Sequence, residues 1–361
     1  VRILALTRYE RLGSSSRVRF YQYFPYLQAH GAEIVSAPFF RNAYVQSLYE
    51  GKKVNITSVL CAYAKRLVTL LSSSKYDILW IEKEIFPWLP AWFEMLFPAI
   101  GVPYVVDYDD AVYHRYDMHS SWIVRALLRD KIDKVMRHAA LVIVGNDYLA
   151  ARAKHAGAKR IEYLPSVVDV SQYIVSEDST QPPFRIGWVG SPVTAPYLDE
   201  VREALKLVSH EANIHVTLVG SGNIPPFSNA PTTILTWGEA VERSIGGMFH
   251  VGIMPLVDGP FERGKCGYKL VQYMAAGLPV IASPVGVNMH MIEPGINGYL
   301  VSSTEEWIQA LRSLIQNRQL CSAMGKAGRQ KVEQKYNLQR TAPKLLEFLK
   351  SVKKSKDLNQ K

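Results

Sequence analysis

The densest chemistry in the chain lies between Met254 and Ala282. An apolar, strand-like run ends at Pro255, a loop carrying Arg263, Gly264, Lys265, Gly267 and Lys269 follows, and a helical segment begins near Tyr268. Cations placed ahead of a helix start make a site for an anion. The first N–H groups of a helix lack carbonyl partners, and the positive end of its dipole points the same way. Gly264 and Gly267 allow close backbone approach, as a diphosphate would require. A solvated surface loop is the plain alternative from these residues alone. A second cluster, Asp107-Tyr108-Asp109-Asp110, closes another apolar run, and His114 lies four residues past Asp110. Carboxylates there can bind substrate hydroxyls or a hard cation through oxygen ligands, and a histidine can move protons near neutral pH.

The surrounding pattern says what must hold these groups. Short β-rich runs alternate with helical segments: Arg2–Leu6, Ala32–Ser36, Ile78–Ile81, Tyr104–Asp107 and Leu141–Val144, then Arg185–Val189, His215–Val219, Thr232–Leu235, Val251–Pro255, Val280–Ala282 and Gly298–Val301. Helices fit between them, at Val18–Ala29, Ile56–Ser72, Trp122–His138, Tyr197–His210 and Lys269–Ala276. Continuous apolar strands separated by helices predict parallel sheets covered on both faces, an α/β fold. The alternation breaks at 170–183, a polar stretch ending in Pro182-Pro183, which reads as a linker between domains at 1–169 and 184–337. Two such halves are expected to bind ligands across a cleft, at the C-terminal ends of their strands. A last helix over 338–361, ending in the basic run Lys350–Lys356, is expected to return to the first domain.

The chain has 361 residues, 48% hydrophobic and 20% charged, and a net charge of +10, which is the composition of a basic globular protein. That charge favours anionic partners such as nucleotide phosphates or an acidic membrane surface. No basic stripe with interleaved aromatics is present, so nucleic acid is not an expected partner. The three cysteines, Cys61, Cys266 and Cys321, are widely spaced and form no metal pattern, which fits a reducing cytoplasm. Val1–Leu6 reads as a first strand rather than a secretion signal, and the prolines and Glu94 within 85–106 argue against a spanning helix. Phe20, Tyr21, Tyr23, Phe24 and Tyr26, with Trp88, Trp92 and Phe93, suit either a core or a membrane interface.

One resemblance extends over nearly fifty residues. Met274-Ala275-Ala276-Gly277-Leu278-Pro279-Val280, then Ser283-Pro284-Val285-Gly286, then Glu293-Pro294-Gly295-Ile296-Asn297-Gly298-Tyr299-Leu300-Val301 resemble the donor-site signature of the family-4 retaining glycosyltransferases. The resemblance implies a GT-B fold, with two Rossmann-like parallel-sheet domains facing across a cleft. It also implies transfer from a UDP- or GDP-sugar, with no metal and no further cofactor, to a glycan or lipid-linked acceptor. The enzyme would work in the cytoplasm, including at the inner face of a membrane, in surface polysaccharide or glycolipid synthesis. The family's Glu-x7-Glu pair falls on Gly264 and Gln272, so both carboxylates are replaced. Gln272 can still hydrogen-bond a ribose hydroxyl, and Glu262 is the candidate for the sugar contact.

The same resemblance assigns roles elsewhere. Gly190 would admit the phosphates at the turn after Arg185–Val189, with Ser191 and Thr194 as donors and Trp237 beside the base. Arg263, Gly267 and Tyr268 complete the donor side, with Lys265 and Lys269 as the catalytic cations. On the acceptor side stand Gly13, Ser14, Ser15, Arg17 and Asp109, with Asp110 and His114 as further catalytic candidates and Arg19 as a possible anion contact. The serines also suit a helix cap. Two rival readings share the fold: a nucleotide-sugar 2-epimerase, and a non-catalytic nucleotide-sugar-binding homologue, which the replaced carboxylates favour.

Overall fold

The computed structural model describes the chain except residues 53–54, 96–100, 177–180, 226, 228–229 and 360–361, and describes only the backbone of 354–359. It divides into two compact units, Val1–Ser166 with Gly264–Cys266 and Gln339–Lys361, and Val167–Arg263 with Gly267–Leu338.

The first unit is built on a six-stranded sheet with the order β2-β1-β3-β4-β5-β6. The strands are β1 Arg2–Leu6, β2 Glu33–Ser36, β3 Ile78–Glu82, β4 Tyr104–Tyr108, β5 Leu141–Val144 and β6 Ile161–Tyr163. Every pairing is parallel. β3, β4 and β5 are buried along their whole length, because helices cover both faces. The run β6 has a half-exposed, charged edge and gives no apolar signal in the sequence, which is why only the fold reveals it.

The second unit has a parallel sheet ordered β12-β11-β10-β7-β8-β9. Its strands are β7 Phe184–Val189, β8 Ile214–Val219, β9 Thr232–Leu235, β10 Val251–Met254, β11 Val280–Ala282 and β12 Gly298–Leu300. Two apolar cores pack against its faces, one including Trp188, Leu218 and Trp307, the other Tyr273, Leu270 and Met274.

Each sheet has one place where successive connections run to opposite sides. In the first it lies between β1 and β3, in the second between β7 and β10. The crevice outside the C-terminal strand ends at such a point is where open α/β sheets take ligands, because the loops there diverge.

Several expected elements differ. The region 18–29 is not one helix: Ser14–Ser16 is a helical turn, Arg17–Tyr21 a π-helix and Phe24–Ala29 a separate helix with a proline in its first turn. A proline lacks the N–H that a continuous helix needs. The expected helix over 122–138 is two, Trp122–Leu128 and Lys131–His138. The stretch read as a linker lies within the second unit as far as it is described: Ile174 N–H donates to Arg243 O at 2.9 Å and Ser176 N–H to Ala276 O at 2.8 Å. The last helix, Leu338–Asn359, is tied to the first unit by Tyr23–Thr341 (3.2 Å), Arg160–Ser351 (2.6 Å) and Lys353–Asp77 (3.0 Å). The side chains of the basic run beyond Lys353 fall outside the described residues.

Candidate functional site

At the switch point of the second sheet, glycines open the strand ends. Gly190 follows β7, and a Cβ there would strike the Trp188 ring and lie 2.7 Å from Lys269 Nζ. Gly220 follows β8 in the left-handed region at φ +77°, and its Cβ would lie 2.5 Å from Gly190 O and 2.9 Å from Trp237 Cβ. Neither position tolerates a side chain, so the two strand ends close to a backbone-only floor. Lys269 reaches over it: its Nζ is 3.5 Å from Thr194 Oγ1 and 4.7 Å from the centre of the Trp188 ring. Ser191 N–H donates to Thr194 Oγ1 at 3.1 Å, which orders the turn.

The helix Tyr268–Ala275 begins at Gly267, which has φ 64° and supplies no side-chain cap. The helix start thus stands beside the Lys269 ammonium, an arrangement that favours an anion. Gln272, one turn further, is 2% exposed. Tyr268 OH and Tyr173 OH each donate to Glu242 Oε1 at 3.0 Å, and Trp237 Nε1–H donates to Glu242 Oε2 at 2.9 Å. Trp237 therefore fixes a buried carboxylate, rather than being held only for a base. Sequence reasoning missed Glu242 and Tyr173. Glu242 sits in a short helix, Glu239–Arg243, whose composition reads as a solvated face.

Two expected donor residues have protein partners of their own. Arg263 makes a two-pronged pair with Asp258, at 2.7 and 2.9 Å, and both side chains are about half exposed. This pair forms locally, because Asp258 precedes the short Pro260–Arg263 helix and Arg263 ends it. Glu262 accepts a hydrogen bond from Tyr197 OH.

Gly264, Lys265 and Cys266 belong to the first unit. Asn146 Nδ2 donates to Gly264 O at 2.9 Å and to Lys265 O at 3.0 Å. A Cβ on Gly264 would meet Ala111 Cβ and lie 2.8 Å from Ala111 N. No glutamate fits at that position without moving Ala111. Burial pushes the Cys266 thiol well above the usual range, so it stays protonated.

The first unit's switch point is filled by charge. Lys83, directly after β3, has φ 64°, unusual for a side chain other than glycine. Its Nζ lies 2.8 Å from Asp109 Oδ1, 3.2 Å from Asp110 Oδ2 and 3.3 Å from Ser15 Oγ. Burial works against the lysine's charge, but Asp109, Asp110 and Glu82 outweigh it and raise its pKa. Burial likewise opposes the charge of Asp109, and Lys83 together with Ser15 brings that carboxyl below its usual range. Ser15, Asp109 and Asp110 are thus brought together, around a lysine the sequence did not single out.

Other expected groups are committed to structure. Arg19 is 1% exposed; its Nε and Nη2 hold Asp107 at 2.7 and 3.2 Å and its Nη1 donates to Leu164 O at 2.7 Å. It is a buried ion-pair residue, not an anion contact. Arg17 is buried as well, and Gly13, not a serine, is the N-cap of the first helical turn, with no side-chain cap. Ser14 lies in the exposed part of that turn, while Ser16 Oγ donates to Glu82 at 2.6 Å. His114 is occupied at both nitrogens, Nδ1 by Asp117 and Nε2 by Tyr148 OH, each at 2.9 Å. Among the described residues no cluster of His, Cys, Asp and Glu could hold a metal ion.

Residues 183–317, which span all of the second sheet, match the family model described as glycosyl transferases group 1. This stretch is similar to a glycosyl transferases group 1 domain. It carries Gly190, Thr194, Gly220, Trp237 and Lys269. Over 76 residues the chain is 36% identical to spore coat protein SA of Bacillus subtilis strain 168, a span of 20% of this chain and 20% of that protein. The whole fold is similar to Anabaena HepE, solved in complex with UDP and glucose, at a TM-score of 0.73 and 16% identity over 97% of this chain and 99% of that one. Sucrose-phosphate synthase of Thermosynechococcus elongatus gives 0.70 and 16% identity over 97% and 98%. These likenesses show the fold, which is of the GT-B type. Among the described residues no helix is long and apolar enough to cross a membrane.

Proposed function

We propose that this protein is a retaining glycosyltransferase that moves a hexosyl group from a UDP- or GDP-sugar to a glycan or lipid-linked acceptor, in surface polysaccharide or glycolipid synthesis. The observation that carries the reading is Lys269 Nζ over the Gly190 backbone, beside Thr194, at the switch point of the stretch that matches the glycosyl transferases group 1 model. The solved complex of HepE with UDP-glucose favours UDP as the first donor to test.

In this mechanism the donor diphosphate lies against Gly190 and the Tyr268–Ala275 helix start. The bond from the anomeric carbon to the diphosphate oxygen breaks, and Lys269 stabilises the charge that gathers on the leaving group. The acceptor hydroxyl forms the new bond on the same face and gives its proton to the departing phosphate. No cofactor or metal enters this scheme. Gln272 takes the ribose, and the Tyr268–Glu242–Trp237 network keeps the helix start and the base-side loop in place. Ser15, Asp109 and Asp110 bind acceptor hydroxyls. Trp88 and Trp92, both exposed on the first unit, suit an acceptor held at the inner face of a membrane.

The test is turnover. The chain is incubated with UDP- and GDP-sugars, with and without acceptor extracts, and Lys269→Met is run beside it. Transfer with retention that disappears in the variant supports the reading; equal turnover by the variant overturns it. A non-catalytic role has one specific observation behind it, the lack of room for a carboxylate at Gly264. Tight UDP binding with no turnover on any donor would favour that role. An epimer formed without acceptor would instead identify the 2-epimerase.

A further inference from the structure

The second unit has another opening, at the other end of its sheet from Gly190 and Lys269. A cavity of about 540 Å³ lies at the N-terminal strand ends, where His250 precedes β10 and Pro279 precedes β11. Its far wall is the 18-residue helix Arg318–Lys335, and Val175 and Ser176 close one side. That volume is in the range of small-molecule sites.

Among the described residues, two buried donors in its lining have no acceptor. His250 is 4% exposed, and its Nδ1 accepts from Arg185 N–H at 2.9 Å. This bond places the proton of the neutral ring on Nε2. Among the described residues Nε2 has no hydrogen-bond partner, and neither has the buried Nη1 of Arg318. The Arg318 guanidinium stacks 4.4 Å over the Phe184 ring, and among the described residues no carboxylate pairs with it. Buried polar groups left open in this way ordinarily have a missing partner.

The other charges around the cavity define that partner. Lys326 and Arg329 also line it, and among the described residues the one acidic side chain of the lining, Glu333, is bonded to Arg329 Nε at 2.7 Å. The start of the Arg318–Lys335 helix adds the positive end of its dipole, with Asn317 as its cap. The complement is a group of acceptor oxygens with negative charge, and a planar guanidinium matches phosphate well. Val175 and Pro279 offer apolar walls for the body that carries it.

We infer that this cavity is a second anion site, which binds the phosphate group of a small metabolite through Arg318 and His250. It stands apart from the donor site proposed above and does not depend on the transfer reaction.

The test uses the full chain carrying Lys269→Met, so that phosphate bound at the donor site does not obscure the result. Inorganic phosphate and glucose 6-phosphate are titrated by calorimetry, with acetate as a carboxylate control. Binding of phosphate below about 10 mM is expected. Arg318→Met should weaken it by about tenfold or more, Arg318→Lys less, because the charge remains. His250→Gln, which retains an N–H donor, should weaken it modestly. Circular dichroism of each variant separates loss of the site from loss of the fold; if Arg318→Met unfolds, the Arg318→Lys and His250→Gln affinities decide. No phosphate binding to the parent, undiminished binding in the folded Arg318 variants, or acetate binding as tightly as phosphate would overturn the assignment. Tighter binding of glucose 6-phosphate than of inorganic phosphate identifies a metabolite rather than the free ion as the occupant.

Discussion

The two switch points are built in opposite ways. In the first unit, charge meets charge: Lys83 with Asp109 and Asp110, Arg19 with Asp107, and Lys131 with Glu84 and Glu94 at 2.6 and 2.9 Å. In the second, the floor is glycine backbone, and the Lys269 ammonium stands near a threonine hydroxyl and over an indole ring. Buried ion pairs fix geometry and lose heavily when one partner goes. An ammonium set over glycine backbone at a helix start can answer to a ligand's charge. The first arrangement holds a shape, and the second offers a charge.

This contrast can be broken most directly at Arg19. Arg19→Met leaves Asp107 buried without its partner. Burial already lifts that carboxyl to about 6, against the pull of Arg19. A loss of about 3–5 kcal/mol is expected in urea unfolding, and a loss under 1 kcal/mol would show that the pair is dispensable. Lys269→Met should do the reverse. Its unfolding midpoint should stay near that of the parent, while transfer falls by about 10²–10³-fold. A large drop in stability with turnover intact would erase the distinction between the two sites.

A smaller effect is expected at Gly264. Gly264→Glu places a carboxylate there but meets Ala111, so about 1–3 kcal/mol of stability should be lost. Ala111→Gly should recover part of it in the double variant, and thermal unfolding of the set reads both. If Gly264→Glu alone is as stable as the parent, the close packing against Ala111 is not what excludes a carboxylate.

The smallest effect is a pH slope. Burial, then Arg185 and Arg318, push His250 down to about 4. Its folded pKa lies below the ordinary histidine value, so the unfolded chain takes up the proton first. Stability from this group is complete above about pH 6.5 and falls as pH drops toward 4. His250→Gln should flatten that part of the stability–pH curve. An unchanged slope would mean that the ring is protonated in the fold.

What could be read in advance followed the range of each interaction. The α/β alternation, eleven of the twelve strands and the Gly267–Lys269 helix start all depend on neighbours within a turn or a strand. The signature from Met274 to Val301 is local in the same sense. The pairing of the first unit's charges was not legible because the partners are remote in sequence: Arg19 and Asp107 are 88 residues apart, and Lys131 and Glu84 are 47 apart. The bond from Trp237 to Glu242 was not legible because Glu242 reads as a solvated helix residue. The bond between His114 and Tyr148, 34 residues on, cannot be read from spacing.

The sequence by itself determined which segments become strands and helices, and where a glycine-opened turn meets a lysine at a helix start. Those choices follow from hydrophobic period and backbone freedom, which act over a few residues. The packed fold decided which charges are consumed by one another and which donors have no acceptor among the described residues, as at His250 and Arg318. Pairing of that kind requires groups far apart in the chain to be buried at one point, and burial is a property of the packed fold.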